Sequence, residues 1–534
     1  MLGEFIGAQL MLGVKPPKLE KEFLMSKVSL FFGAGAEIGY GLPSGGKFAL
    51  DIFRMDVAED KKLLRETREK VNKRSNYAKN WLPQDYEKKP ISSFGRTQYE
   101  SLVKSSLEYK RFDIIRYLSE FDSRVSVLAR KFDETFGRNI REAFENVLGI
   151  SFGAETFSHE IRISGILGDY NHLFSSDFFS SYLKALELPP TDENFFIRKR
   201  CRDFCRSVLE LLIGACGEEL VHNLNDGIFE KKPDEIDIFD DLGAIFSLDY
   251  RGAGLTGLEV ILDGEPIAIT ADTSDEHLIC AFALEILEDI FAASLDYQSL
   301  IDSNWRYLYS PKTDWAKFCK INIFLNTAQR YISSIAENFN DKIMNGDGYY
   351  HDIIEMKKEH EVKAIGTTNY NNFIGTISEE DVYYLNGSVD DCYDPYLNTI
   401  VSQEASTDIQ HFTVPFLFTQ SGIKPLTSIK MSERYVQLYN NLKNSDVVAV
   451  IGYGFNVDDG HINGLFRSCI EDEGKELVIF HYMNDFGTES DLKLKEYYQE
   501  RLRLKDHSGI TVIKVGNDRK TPEGVIWYEA LAGA

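Results

Sequence analysis

Four short stretches hold the residues whose types and spacing suit chemistry. In "FFGAGAEIGYGLPSG" the apolar run Val28–Phe32 meets Gly33, Gly35, Gly39 and Gly41, then Pro43 and Ser44. Without a Cβ at 33 and 35, the backbone can approach a diphosphate. A helix after Pro43, expected over Gly45–Arg54, would aim its positive end at the same place. A glycine-rich turn that binds nothing is the competing reading. The dehydrogenase pattern is GxGxxG, with an acidic residue about 20 positions further on. Here the loop is GxGxxxG, and the region near Asp51 and Asp56 reads as helix, which argues against a nicotinamide dehydrogenase.

In "AIGTTNYNNFIG" an apolar run ends in Thr367-Thr368-Asn369-Tyr370-Asn371. Asn369 carries a donor and an acceptor, suited to ribose hydroxyls or a carboxamide. An Asx turn or N-cap opening a helix at Asn371 is the bland alternative. "YYLNGSVDD" runs from a strand into Asn386-Gly387-Ser388, which also reads as a plain Asn-Gly turn. "VVAVIGYGFNVDDGHIN" places Gly452, Gly454, Asn456, Asp458 and Asp459 after another strand. The two acids either hold ribose hydroxyls or cap a helix beginning near His461.

Such residues need elements to converge them. Six strand-like runs stand out: Val28–Phe32, Val362–Thr367, Val382–Leu385, Asp446–Gly452, Glu476–Tyr482 and Ile510–Val515. Helical patterns at Tyr435–Asn444, Ile462–Cys469 and Asp491–Leu504 alternate with them. That alternation predicts an α/β fold with a doubly wound, mostly parallel six-stranded sheet, whose ligands sit at the carboxyl ends of the strands. A βαβ unit takes about 30 residues, yet roughly 330 separate the glycine loop from the next strand. The sheet is therefore expected to carry a large, mainly helical insertion. The domains read as an N-terminal packing or oligomerisation segment (1–24), a nucleotide-binding domain (25–54 plus 361–534) and the insertion (55–360). Within the insertion, Lys61–Asn72, Ser101–Phe121, Val125–Phe144, Phe195–Ala215, Glu276–Ala293 and Trp315–Asn345 read as helices. "LEVILDGEPIAIT" (Leu258–Thr270) reads as a hairpin with an Asp-Gly turn, and "NWLPQDYEKKPISSFGRTQ" as a mobile loop.

Composition narrows the classes. The 534 residues are 43% hydrophobic and 13% aromatic, enough for more than one core and too apolar for a disordered chain. A net charge of -25 disfavours direct, tight nucleic-acid binding; "IRKRCRDFCR" is the densest basic cluster and reads as a helix face. The seven cysteines form no CxxC pair, which suits reduced structural thiols in a cytoplasm. No window reads as a membrane span.

Taken together and in order, "GAGAEIGYGLPSG", "TTNYN", "LNGS" and "IGYGFNVDDGHIN" resemble the sirtuin-like superfamily. The nearest likeness is to its bacterial branch, the NAD-cleaving proteins of anti-phage defence. The resemblance covers about Val28–Arg54 and Val362–Val515, not the insertion. It implies a Rossmann-like NAD-binding domain. Gly33, Ala34, Gly35 and Ala36 match the family's diphosphate loop, with Glu37 beside it and Pro43 where the loop turns over the nicotinamide ribose. Asn369 matches the asparagine that holds that ribose and a water. Thr368 stands next to it, and Asn371 falls where many members have aspartate. Gly452, Tyr453 and Gly454 match the segment flanking the adenosine half, and Asn484 would contact the adenosine ribose.

Two departures matter. The family's third motif usually reads His-Gly, the histidine being the general base; here Asn386-Gly387 stands in that place, and an amide takes no proton near neutral pH. Three accounts follow. A weakly activated water traps the oxocarbenium-like species; or another residue serves, with His411, His351 and Glu37 as candidates; or the site binds NAD without turning it over. The zinc module of deacylating sirtuins is also missing, since no paired CxxC occurs. Water then becomes the acceptor. The expectation is a cytoplasmic NAD hydrolase releasing nicotinamide and ADP-ribose, with NAD as substrate and no metal. Its activity would be held off by the insertion, by other copies of the chain, or by a partner encoded nearby (an ATPase or nucleotide-handling protein) until a phage signal arrives. The rivals are a non-catalytic NAD or ADP-ribose sensor and a nucleotide-binding oxidoreductase.

Overall fold

The computed structural model describes residues 25–42, 45–156, 161–162, 170–216, 254–263, 267–295, 297–418, 428–456, 459–483 and 490–533. The N-terminal segment expected to pack or oligomerise lies outside them.

In chain order the strands are β1 Ser26–Phe32, β2 Ile161–Arg162, β3 Tyr170–Asn171, β4 His360–Thr367, β5 Val382–Tyr384, β6 Gly387–Asp394, β7 Thr399–Ser402, β8 Val414–Leu417, β9 Val447–Ile451, β10 Leu477–Tyr482 and β11 Ile510–Val515. Six of them form one sheet in the order β11-β10-β9-β1-β4-β5, and every pairing in it is parallel. These are the six runs expected from the sequence. From β1 the chain passes to β4 and β5 on one side, then returns to β9 on the other. The strand order thus reverses at β1, where open parallel sheets bind ligands.

Register decides what meets there. Phe32 at the end of β1 pairs with Thr367 and with Ile451, and Thr367 pairs with Tyr384. The residues that follow, Gly33, Thr368, Leu385 and Gly452, therefore leave the sheet at one level of one edge.

Strands buried on both faces read as continuous apolar runs. Leu30, Phe32, Ile365 and Ile451 pack on one face, against Ile343, Tyr350, Ile353 and Met356. Phe31, Val448, Val450 and Ile479 pack on the other, against Leu438, Leu442, Ile462 and Phe466.

Between β1 and β4 the chain is mainly helical. The patterns Ser101–Phe121 and Val125–Phe144 each resolve into two helices, Arg96–Tyr109 with Arg111–Ser119 and Phe121–Phe136 with Ile140–Leu148. The second break falls at Gly137, in the left-handed conformation (φ 63°) that glycine adopts without strain. The hairpin expected over Leu258–Thr270 is not formed. Leu255–Asp263 is a helix whose Leu258 and Ile261, three apart, are both buried in the insertion core. Helical spacing of apolar residues outweighs the local Asp-Gly turn signal, and Gly264–Pro266 lie outside the described residues. The loop expected to be mobile is pinned instead: Leu82 and Tyr86 are buried, and Trp315 Nε1 donates to the Pro90 carbonyl at 3.0 Å.

One element was not foreseen. Directly after β5 the chain enters a three-stranded antiparallel sheet, β7-β6-β8. Asn386 is the hinge between the two sheets. Among the described residues no helix is long and apolar enough to cross a membrane.

Candidate functional site

At the reversal point a cavity of about 370 Å³ opens, within the range of small-molecule sites. Its lining comes from four strand ends and from the insertion. The loop after β1 gives Ala34 and Glu37; that after β4 gives Thr368, Asn369, Tyr370 and Asn371. Asn386 follows β5, and Gly452, Tyr453, Gly454, Asn456 and Asp459 follow β9. The opposite wall is apolar: Phe48 from helix Gly45–Arg54, and Tyr331, Ile332, Ile335 and Ala336 from the long helix Trp315–Met344.

The polar side is a connected network. Asn369 Nδ2 donates to the Gly33 carbonyl at 3.2 Å and to the Tyr350 hydroxyl at 3.1 Å. Tyr350 in turn donates to Glu37 Oε1 at 2.8 Å. Asn371 Nδ2 donates to both Glu37 oxygens, at 2.9 and 3.0 Å. Glu37 is buried, and burial pushes its pKa up from 4.5 to about 7, against the pull of hydrogen bonds from Asn371, Tyr350 and Asn369. A carboxyl group so placed changes protonation near neutral pH. Asn386 is buried as well, and its Oδ1 has no hydrogen-bond partner among the described residues. Among the described residues no lysine or arginine lines the cavity, and the charged side chains there are Glu37 and Asp459.

The glycines do a different job from the one expected. A Cβ on Gly33 would lie 2.5 Å from the Gly452 oxygen, one on Gly35 2.8 Å from Gly452 Cα, and one on Gly452 2.1 Å from the Ala36 nitrogen. Gly33 N–H donates to Ile451 and Gly35 N–H to Gly452. The missing side chains let the β1 and β9 loops interlock, so Gly33 and Gly35 shape the cavity from behind rather than line it. Ala36 faces the sheet core. Gly387, at φ 85°, leaves room for the Phe416 carbonyl, 1.7 Å from where a Cβ would stand, and does not line the cavity either. Helix Gly45–Arg54 contributes the Phe48 ring to the lining, packed edge-on against Tyr331 at 5.5 Å.

His411 is not in the site. Its Nδ1 lies 3.0 Å from Oδ2 of Asp394 on β6, with its ring against Tyr77 of the insertion and Tyr396 of the β6–β7 turn. It lies in the segment between β7 and β8, beside the second sheet and outside the cavity lining. His351 is bonded to the Tyr40 hydroxyl and is also outside the lining. Pro43 and Asn484 lie outside the described residues. Asp459 makes no side-chain capping bond to helix Gly460–Glu471 and faces the cavity. Sequence reasoning missed Tyr350 and the apolar wall. Tyr350 sits in no motif, and only the amphipathic spacing of 331, 332, 335 and 336 marked that wall as one helix face.

The fold and site define a parallel α/β protein with a half-polar small-molecule cavity at its topological reversal point. No protein-family model, curated protein or solved structure matches the chain. Among the described residues no group of three His, Cys, Asp or Glu side chains could hold a metal ion.

Proposed function

We propose that the chain is an NAD glycohydrolase, which cleaves the bond between nicotinamide and ribose to release nicotinamide and ADP-ribose. The observation that carries this reading is the meeting of Asn369, Asn386, Glu37 and the Gly452–Gly454 loop in one cavity at the reversal of strand order. Asn369, held through its amide NH2 group by Gly33 and Tyr350, keeps its oxygen for a ribose hydroxyl or water. Among the described residues the lining carries no lysine or arginine, which suits a cationic pyridinium. Diphosphate charge then falls to backbone N–H groups of the Gly452–Gly454 loop, which lines the cavity. Binding the adenosine half positions the distant glycosidic bond. Because free NAD cleavage would exhaust a host cell, the activity fits a gated effector of anti-phage defence, acting as a homo-oligomer or with a partner encoded nearby.

The test is nicotinamide release by the purified chain, alone and with its genomic neighbours. Asn369→Ala should lower release by about 100-fold or more. One observation favours a second reading. Asn386 has replaced the base that the resemblance calls for, so the chain could bind NAD or ADP-ribose as a non-catalytic regulatory subunit. NAD binding with no release under any of these conditions would establish that reading instead.

A further inference from the structure

We propose that Glu37 is the catalytic base of this site and takes the proton of the attacking water, an inference that rests on the NAD-cleavage reading. The geometry selects it. Of the three candidates for the role of the missing imidazole, His411 is paired with Asp394 ahead of β8 and His351 lies outside the lining; Glu37 alone faces the cavity. Its carboxyl group is oriented from two separate elements. Asn371, after β4, bridges both oxygens, and Tyr350, from helix Tyr349–Met356, donates to Oε1. The same Tyr350 hydroxyl accepts from Asn369. One hydrogen-bonded chain thus links the amide that would hold the water to the carboxylate that would deprotonate it.

The surrounding titratable groups leave this role to Glu37. Tyr350, Tyr40 packed against it, and Tyr384 from β5 are all pushed above the usual tyrosine range, chiefly by burial, so they remain protonated donors. Asp459 stands on the β9 loop with Tyr453. Burial brings Glu37 to about 7, where a base both accepts a proton readily and is substantially ionised at neutral pH.

The step balances. The water oxygen forms a bond to C1′ of the ribose as its proton passes to Glu37. The C1′–N bond breaks, and its electron pair goes to the pyridinium nitrogen. Nicotinamide leaves neutral and needs no proton, so the site requires a base and no acid. Glu37 then returns its proton to solvent, and each turnover releases one proton.

The test measures nicotinamide release and NAD binding for wild type, Glu37→Gln and Tyr350→Phe across about pH 5 to 9. Wild-type kcat should rise through a limb near pH 7. In Glu37→Gln that limb should vanish and release fall by about 100-fold or more, with NAD affinity kept within about threefold. Its thermal midpoint at alkaline pH should not fall, which separates lost chemistry from damaged structure. In Tyr350→Phe the carboxylate loses a donor, so the limb should move to higher pH. That shift decides the matter even if Glu37→Gln fails to fold. A Glu37→Gln enzyme that releases nicotinamide at the wild-type rate with its limb intact overturns the base and leaves NAD cleavage standing. So does a Tyr350→Phe limb that stays in place. A wild type that binds NAD but releases nothing at any pH overturns the base together with the reading beneath it.

Discussion

At the scale of residues, the site keeps two polar groups in states that cost stability. Glu37 is held with a pKa raised from 4.5 to about 7. A raised carboxyl pKa means that the folded protein binds the proton more tightly than the unfolded chain does. Its contribution is complete below pH 4.5 and is lost as pH climbs through about 7. At 1.36 kcal/mol per unit, the gap of 7 − 4.5 amounts to about 3 kcal/mol at most. Glu37→Gln should therefore unfold at a higher temperature than wild type near pH 8, with the difference shrinking towards pH 5; equal midpoints throughout would refute the assignment. Asn386 is the second such group, with a buried acceptor that has no partner among the described residues. An orphaned acceptor costs about 1–3 kcal/mol. Asn386→Leu should leave the ligand-free protein as stable as wild type or more so, while weakening NAD binding about tenfold or more. Thermal unfolding with and without NAD checks both halves.

At the scale of elements, the β1 and β9 loops behave as one unit because each glycine fills the space of the other's absent side chain. Gly452 combines this close fit with a left-handed φ of 66°. Gly452→Ala meets the Ala36 nitrogen at 2.1 Å and must push the loops apart. A loss of about 2 kcal/mol or more in denaturant unfolding is expected, with NAD binding abolished. Gly454, two residues on, has among the described residues only the Asn456 side chain nearby, at 3.7 Å. Gly454→Ala should fold as wild type does. The two glycines are indistinguishable as letters in a motif; the neighbouring loop separates them.

At the scale of the whole molecule, the cavity belongs to neither part of the chain alone. The sheet edge supplies the polar floor, and helix Trp315–Met344 supplies the apolar wall. Helix Gly45–Arg54 joins them. Its Asp51 accepts from the Tyr331 hydroxyl at 2.6 Å, and its Lys47 and Arg54 both reach the buried Glu288 of helix Asp275–Ser294, at 2.9 and 2.5 Å. These contacts tie the insertion to the helix that carries Phe48 into the cavity. Ala336→Trp should fill the cavity from the insertion side. NAD binding would fall by about 100-fold with little change in unfolding midpoint, because Ala336 is only partly buried. Unaltered titration calorimetry in this variant would show that the wall does not border the ligand.

What the chain's letters determined by themselves was local. Short Val- and Ile-rich runs set the six strands, and the alternation with helices set a parallel sheet. The polar residues after those runs marked Asn369, Asn371 and Asn386 as strand-end groups, because a strand buried on both faces can offer polar side chains only where it leaves the sheet. Tertiary structure decided which of these groups meet. Register brought Gly33, Thr368 and Gly452 to one level, steric interlock assigned the glycines to loop packing, and pairing with Asp394 of β6 held His411 outside the lining. Burial among Tyr350, Asn369 and Asn371 changed the chemistry of Glu37. A pKa and a contact between residues more than 300 positions apart depend on what surrounds a group in space, and no run of neighbours along the chain contains that.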